Sequence, residues 1–216
     1  MGIVFLVSVL KIFVISVNMK RITLILLCSM FMGTGYSQVI KFDNGVAVNS
    51  LIGDDFDLFF NKVTSYSGLV GLEYFERKWF YLSSEVGYLK LGGKENGTID
   101  GVPTRDEQTW NYGQINTSFR ARVVSRKTEF YAGTGPYANV LLGSGAFDKA
   151  LYDGYSAERI NWGFKAELGI TQNINRIRVG VNCTYLLPVS ATVKSQYTNM
   201  YSRSLAFYLS LGYRFK

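Results

Sequence analysis

The chain ends on SLAFYLSLGYRFK, Ser204 to Lys216, in which apolar residues alternate with small or polar ones. One parity holds Leu205, Phe207, Leu209, Leu211, Tyr213 and Phe215. The other parity holds Ala206, Tyr208, Ser210, Gly212 and Arg214. Alternation with a period of two predicts a β-strand with two chemically different faces. The termini of soluble domains tend to be poorly ordered, so we expect a partner strand and an apolar environment to hold this one.

Seven earlier segments show the same alternation, with bulky apolar side chains on one parity and a face rich in Gly, Ser and Asn on the other. They are Val39–Leu51, Thr64–Phe75, Trp79–Leu91, Thr109–Val124, Glu129–Leu141, Asn161–Ile170 and Ile177–Leu187. With the terminal segment, the sequence predicts eight strands. No stretch after residue 37 approaches the 18 consecutive apolar residues of a membrane helix.

The predicted connections alternate between two lengths. Tight polar turns are expected at Glu76–Lys78, Ser125–Lys127 and Asn173–Arg176. Long polar or glycine-bearing loops are expected at Gly53–Val63, Gly92–Gln108, Ser144–Arg159 and Ala191–Arg203. Short turns at one end and long loops at the other are typical of outer-membrane barrels, because a sheet in lipid must close on itself to pair its backbone. We therefore predict an all-β, eight-stranded antiparallel up-and-down transmembrane barrel.

A soluble barrel or sandwich is the alternative fold, with the apolar face turned inward. Parity alone does not distinguish inside from outside. The small polar face, the asymmetric connections and the aromatic residues near strand ends, such as Trp79, Trp110 and Tyr213, favour the membrane barrel.

The first 37 residues differ from the rest of the chain and predict a signal peptide that begins at Met19. Lys20 and Arg21 form its charged region, Ile22–Met32 its apolar region, and Ser37 precedes the expected mature start at Gln38. A membrane anchor starting at Ile3 is the competing interpretation. Residues 38–216 are then the barrel domain, exported to the cell outer membrane.

Charge and cysteine content exclude several classes of protein. The formal net charge of the whole chain is +7, and removal of Lys11, Lys20 and Arg21 leaves +7 − 3 = +4. That balance does not indicate nucleic-acid binding. The mature chain keeps one cysteine, Cys183, so it has no internal disulfide framework, and the apolar parity of Cys183 predicts a lipid-facing position.

Four segments carry a resemblance to a known family: the Met-Lys-Arg leader ending in Ser-Gln, GLEYFERKWFYLSSEVGYLK, TEFYAGTGPYANVLLG and the closing LSLGYRF. They resemble the PorT-like outer-membrane β-barrel family of Bacteroidetes-type bacteria. The resemblance covers residues 38–216 and implies recognition of the last strand, at Leu211, Tyr213 and Phe215, by the barrel-insertion machinery. A few family members are tied to protein secretion. Lys216 after Phe215 departs from relatives that end on Phe.

The polar parity suggests what fills the barrel. With eight strands the interior is just wide enough for side chains, and buried charges need partners. We predict an internal ion-pair network formed by Glu73, Glu85, Arg120, Arg122, Lys165, Glu167, Arg178 and Arg214. An ion-selective lumen is the alternative. The chain has no histidine, which removes the most frequent general base and metal ligand, so we expect neither an enzyme nor a metal or cofactor site.

The expected function is structural or interactive. A monomeric barrel in outer-membrane lipid would support an envelope or secretion assembly, or contact proteins or small ligands through its long extracellular loops. Tyr152, Tyr155, Tyr197 and Tyr201 supply aromatic contact area in those loops. The alternative is a narrow porin-like transport or ligand-binding barrel. An open internal path would favour transport, and an interior plugged by side chains would favour the structural role.

Overall fold

A computed structural model describes residues 38–53, 61–99, 102–147, 154–195 and 198–215. The predicted signal peptide, Tyr152, Tyr197 and Lys216 lie outside these residues. The side chains of residues 96–105 also lie outside the description, although their backbone belongs to it.

The described residues form eight long strands and two short ones. The long strands are β1 Val39–Gly53, β2 Val63–Tyr74, β3 Phe80–Ile99, β4 Val102–Ser125, β5 Thr128–Leu141, β7 Ile160–Ile174, β8 Ile177–Pro188 and β10 Asn199–Arg214. The short ones are β6 Ser156–Ala157 and β9 Val193–Lys194. The shortest long strands have 12 residues, which exceeds the 9–11 that a tilted strand needs to cross a bilayer.

The sheet closes on itself through its first and last long strands. Neighbouring long strands pair antiparallel in chain order, and β1 also pairs with β10 from Val39 opposite Arg214 to Gly53 opposite Met200. The terminal stretch is therefore held between β1 and β8. Closure leaves no unpaired edge along the ring, which confirms the predicted eight-stranded antiparallel barrel.

Three of the predicted loops differ from the structure. The expected loop Gly92–Gln108 is wrong, because β3 and β4 remain paired from Gly92 opposite Thr109 to Ile99 opposite Val102. The predicted loops Ser144–Arg159 and Ala191–Arg203 contain β6 and β9, which pair with each other, and β9 also pairs with β10. Much of the long-loop end is thus ordered by β pairing.

The outward face of the barrel is apolar. Its exposed side chains include Ile40, Phe42, Val46, Val70, Val86, Ile115, Phe130, Phe164, Leu168, Val181, Phe207, Leu209 and Leu211. Leu209, for example, is 69% exposed, whereas its neighbour Tyr208 is 5% exposed. A soluble barrel would bury these residues. Their exposure on a closed ring is the arrangement that lipid requires.

Two of the short connections are two-residue turns. Ser125 pairs with Thr128 around Arg126–Lys127, and Ile174 pairs with Ile177 around Asn175–Arg176. The first residue of each turn has a positive φ, 56° at both Arg126 and Asn175. Such turns match the twist of the strands. A positive φ is unusual for arginine, because its Cβ crowds the backbone there.

Candidate functional site

The interior of the barrel is built around Arg120, which is 1% exposed. Its guanidinium contacts three carboxylates: Glu73 at 3.0 Å, Glu85 at 2.7 Å and Glu167 at 2.7 Å. These acids come from β2, β3 and β7, so one side chain of β4 connects strands around the ring. Planar donors arranged in a fork suit several carboxylates at once.

Two lysines extend this cluster. Lys165 contacts Glu85 at 3.0 Å and Glu167 at 3.2 Å. Lys41 contacts Asp43 at 2.6 Å and also pairs with Glu85. Because β1 and β7 supply these amines, the pairs reach both the closing strand and the far side of the ring.

A second group of ion pairs lies next to the short turns. Arg178 pairs with Glu73 and contacts Glu129 at 3.1 Å. Arg122 pairs with Glu76 and contacts the same Glu129 carboxylate at 3.0 Å. Arg214 contacts Glu76 at 2.9 Å. Glu73 links the two groups, since both Arg120 and Arg178 bind it.

The connected network is electrically balanced. Its acids are Asp43, Glu73, Glu76, Glu85, Glu129 and Glu167, and its bases are Lys41, Arg120, Arg122, Lys165, Arg178 and Arg214. Six negative and six positive charges sum to zero. Buried charges are tolerated when each is paired and hydrogen-bonded, so the network can fill the lumen without leaving an uncompensated charge.

Aromatic rings and glycines complete the packing of the network. The Arg120 guanidinium carbon lies 4.8 Å from the ring centroid of Tyr131 and 5.8 Å from that of Tyr81, within cation–π range. A Cβ at Gly169 would lie 2.3 Å from Tyr131, and one at Gly133 would lie 2.6 Å from Glu167. Both glycines therefore provide the space that the network occupies.

All eight lumen residues proposed from the sequence take part in these ion pairs. The structure adds four that were not proposed: Lys41, Asp43, Glu76 and Glu129. Lys41, Asp43 and Glu129 lie on the polar parity of their strands, so parity was a usable signal for them. Glu76 lies between β2 and β3 in a predicted turn, where no parity applies.

Glu76 sits where the network meets the short turns. Burial alone would raise the pKa of this carboxyl, but the hydrogen bond from Arg122 and the charges of Arg214, Arg122 and Arg178 outweigh burial and hold its pKa below the ordinary value of 4.5. The Glu76 side chain therefore stays ionised to a lower pH than an ordinary glutamate does.

Uncharged polar side chains lie farther along the strands from the short turns. The amide nitrogen of Asn49 donates to Ser65 Oγ at 2.8 Å, and that of Asn139 donates to Asn161 Oδ1 at 2.8 Å. Other buried polar atoms in this region have no protein partner among the described residues; they belong to Gln114, Asn116, Ser118, Ser202 and Ser204. The polar interior thus continues beyond the ion pairs.

An apolar cluster fills the interior at the long-loop end. Its members are Leu51, Leu89, Leu91, Trp110, Tyr112, Tyr137, Ala157, Leu186, Val193 and Met200. Val193 of β9 and Ala157 of β6 belong to this cluster, so the paired segments β6 and β9 form a lid over it. Glu158 N donates to Thr192 O at 2.8 Å and Thr192 N to Met200 O at 2.7 Å, which fastens the lid to β10.

The predicted insertion-signal residues point outward at the end of β10, with Phe215 one residue beyond the strand. Leu211 is 57% exposed, and Tyr213 and Phe215 are each 44% exposed. The two rings lie 5.4 Å apart at the short-turn end of the strand. Cys183 is half-buried on the outward parity of β8 and is a free thiol. Of the loop tyrosines, Tyr155 packs against the apolar cluster and Tyr201 is half-buried on β10.

The described residues contain neither a metal site nor a membrane-spanning helix. No group of three or more His, Cys, Asp or Glu side chains is placed to hold a metal ion. No helix in the described ranges is long and apolar enough to cross a membrane.

Known structures of bacterial outer-membrane barrels are similar to this chain. The chain aligns with OprG from Pseudomonas aeruginosa at a TM-score of 0.57 and 10% identity, covering 84% of this chain and 96% of OprG. It aligns with the outer-membrane protein AlkL at 0.53 and 17% identity, covering 85% and 93%. It aligns with Ail, the attachment invasion locus protein of Yersinia pestis, at 0.50 and 12% identity, covering 84% and 100%.

The chain has the fold of an eight-stranded outer-membrane barrel. No protein-family model matches the sequence, and no curated protein matches it either. At these identities the similarity establishes the fold alone and gives no information about the chemistry of the interior.

Proposed function

We propose that the protein is an integral outer-membrane barrel with a structural or interaction role and no open channel. The observation that carries this proposal is the filled lumen: a balanced ion-pair network at one end and a lidded apolar cluster at the other. Narrow barrels of this kind are filled by side chains. The outward apolar belt provides the contact with lipid that the proposed location requires.

Planar-bilayer recordings test the closed lumen. The mature chain, residues 38–216, is refolded into vesicles, its insertion is verified by heat-modifiable gel mobility, and single-channel currents are recorded. We expect no stable porin-sized openings, because Arg120 and its three carboxylates occupy the cross-section. Stable openings of that size would overturn the proposal and support the alternative of a narrow transport barrel.

The long-loop end is the proposed interaction surface, because binding residues are often carried by loops on a rigid scaffold. The β3–β4 hairpin extends the sheet beyond the other strands and can be shortened without a register change, since Glu95 pairs with Asp106. Replacing residues 96–105 by Asn-Gly tests it. We expect the shortened protein to insert normally and to reproduce the envelope phenotype of a gene deletion. Full complementation would contradict a role for this hairpin.

We further propose membership of the PorT-like family, supported by the closing LSLGYRF and the leader and strand segments that resemble it. A role in supporting protein secretion follows from that resemblance. The test compares the secreted proteins of a deletion strain with those of a strain that expresses the chain again. Loss and recovery of a secreted set is expected, and identical sets in both strains would remove the secretion role.

We also propose that the protein is not an enzyme. The absence of histidine from the sequence supports this, as does the engagement of the buried carboxylates in ion pairs, which leaves them poorly suited to proton transfer. Hydrolysis of lipid esters by the refolded barrel, above the level of an unfolded sample, would contradict the proposal.

A further inference from the structure

The short-turn end of the barrel carries an excess of basic side chains beside the apolar belt. These are Arg77, Lys78, Arg126, Lys127, Arg176 and Arg214. Within the described part of these turns the acid is Glu76, and it already pairs with Arg122 and Arg214. This rim is therefore positively charged where the outward face changes from apolar to polar.

The β4–β5 turn differs from the other two short turns. The β2–β3 turn contains its own acid, Glu76, and in the β7–β8 turn Arg176 donates to Tyr213 OH at 3.4 Å. The β4–β5 turn presents Arg126 and Lys127, which are both exposed. Among the described residues, no hydrogen bond or ion pair engages either side chain. Two adjacent cations without a counter-charge attract anions.

A surface groove of about 500 Å³ lies directly beside this turn. Its lining contains two cations and no acid: Ser125, Arg126, Lys127, Thr128, Phe130 and Gln172. Phe130 is 51% exposed on the apolar belt and forms the side of the groove that faces lipid. The groove thus joins basic groups to an apolar wall.

The polar side of the groove has free donors. Thr128 Oγ1 donates to Gln172 Oε1 at 3.0 Å, which orients the amide and leaves its nitrogen without a partner among the described residues. The guanidinium of Arg126, the ammonium of Lys127 and the Gln172 amide are all donors that suit phosphate oxygens.

We propose that this groove binds the headgroup of an anionic phospholipid in the leaflet at the short-turn end. The phosphate would accept hydrogen bonds from Arg126, Lys127 and Gln172, and the first part of an acyl chain would pack on Phe130. Basic groups at a membrane surface attract anionic lipids, and the long stems of Arg and Lys can follow the apolar surface. This inference rests on the proposed membrane location.

Native mass spectrometry of the refolded mature barrel in detergent provides the test. Phosphatidylglycerol and phosphatidylcholine with identical acyl chains are titrated separately. Each basic side chain near an anionic lipid strengthens the interaction about fivefold. We therefore expect the wild type to prefer phosphatidylglycerol roughly 10- to 30-fold, and Arg126→Gln/Lys127→Gln to lose most of that preference.

The matched control removes two charges from the other end of the barrel. Arg159 and Arg203 are exposed there, and Arg159→Gln/Arg203→Gln should keep the wild-type preference. Equal binding of the two lipids by the wild type, or an unchanged preference in the Arg126/Lys127 variant, would overturn the inference. Displacement of the lipid by inorganic phosphate at similar concentration would also overturn it, since the site would then bind a free anion.

Folding in neutral vesicles separates this inference from the proposed location. All three proteins should show heat-modifiable mobility after insertion into pure phosphatidylcholine. Failure of the wild type to insert there would refute the membrane location. Normal insertion without lipid preference would refute the headgroup site alone.

Discussion

Arg120 is a central residue of the interior network. It is almost fully buried and binds three carboxylates. Substitution Arg120→Leu leaves Glu73, Glu85 and Glu167 with too little positive charge nearby. Removing one partner from a buried ion pair costs about 3–5 kcal/mol. We predict a loss of that size in the free energy of unfolding, measured by urea titration of the vesicle-inserted barrel.

Arg203→Leu is the control for this substitution. Arg203 is exposed, and surface changes usually alter stability by no more than about 0.5 kcal/mol. If Arg120→Leu were as stable as Arg203→Leu, the ion pairs would not be the interactions that hold the interior together.

The lowered pKa of Glu76 leads us to expect that part of the barrel's free energy of unfolding depends on pH. Because Arg122 and Arg214 lower the pKa of its carboxyl in the folded state, ionised Glu76 stabilises the barrel above the unfolded-state pKa near 4.5. That contribution is lost as pH falls through the lower folded-state pKa. Glu76→Gln should therefore be less stable than wild type at neutral pH, and the difference should shrink in acid.

Urea titrations at neutral and acidic pH measure this difference. Other carboxylates of the network also titrate in acid, so the comparison is between wild type and Glu76→Gln at each pH. A difference that grows as the pH falls would contradict the assigned direction of the shift.

Individual interior residues were predictable only where parity applied. Arg120 and Glu167 alternate with apolar neighbours, so their inward position follows from the sequence. Glu76 was not predicted as an interior residue, because it lies in a turn where the alternation of strands does not apply. Leu89 and Leu91 lie on the inward parity but are apolar, and no pattern along one strand indicates that Val193 from a distant loop covers them.

At the scale of elements, alternation predicted the eight long strands with small errors at their ends. The β3–β4 hairpin beyond Gly92 was the main exception. Its segment, from Lys94 to Arg105, is polar and resembles a loop in composition. Its strands pair through the backbone, and Lys94 contacts Glu107 at 3.0 Å. Neither interaction requires an apolar face, so composition carries little information about the hairpin.

The packing of the lid formed by β6 and β9 can be tested separately from the folding of the barrel. Val193 is fully buried in the apolar cluster, and its neighbour Lys194 is exposed. Val193→Asn places an amide in an apolar site at a cost of roughly 2 kcal/mol, whereas Lys194→Asn does not. We predict faster proteolysis within residues 189–198 in Val193→Asn, with the heat-modifiable mobility of the barrel retained.

Equal protease resistance of the two asparagine variants would show that the lid does not depend on packing against the cluster. Loss of the folded barrel in Val193→Asn would show that the lid and the barrel unfold together and would contradict a lid that opens while the barrel stays folded.

We predict that a substitution at the end of the last strand impairs assembly of the barrel in cells. Phe215 is exposed at the end of β10 beside Tyr213, and the resemblance to PorT-like barrels implies that the insertion machinery recognises this end. Phe215→Ala should reduce the amount of barrel in the outer membrane several-fold while refolding into vesicles normally. Phe75→Ala removes an exposed ring at the same end of the barrel and is the control. Equal surface amounts of the two variants would contradict the signal.

The whole molecule combines two ends with different chemistry. The short-turn end is charged inside and basic at its rim, and the long-loop end is apolar inside and covered by paired loops. Both ends are filled by side chains within the described residues. This arrangement follows from a ring of eight strands, which is too narrow to hold a wide channel.

The orientation of the two faces is the central claim, and tryptophan quenching by brominated lipids measures it directly. One protein carries Leu209→Trp as its sole tryptophan, at a position 69% exposed on the belt; the other keeps only Trp110, 4% exposed inside the barrel. The remaining tryptophans are replaced by Phe. We predict strong quenching at position 209 and little at Trp110. Strong quenching of Trp110 with none at position 209 would contradict a barrel whose apolar face meets lipid.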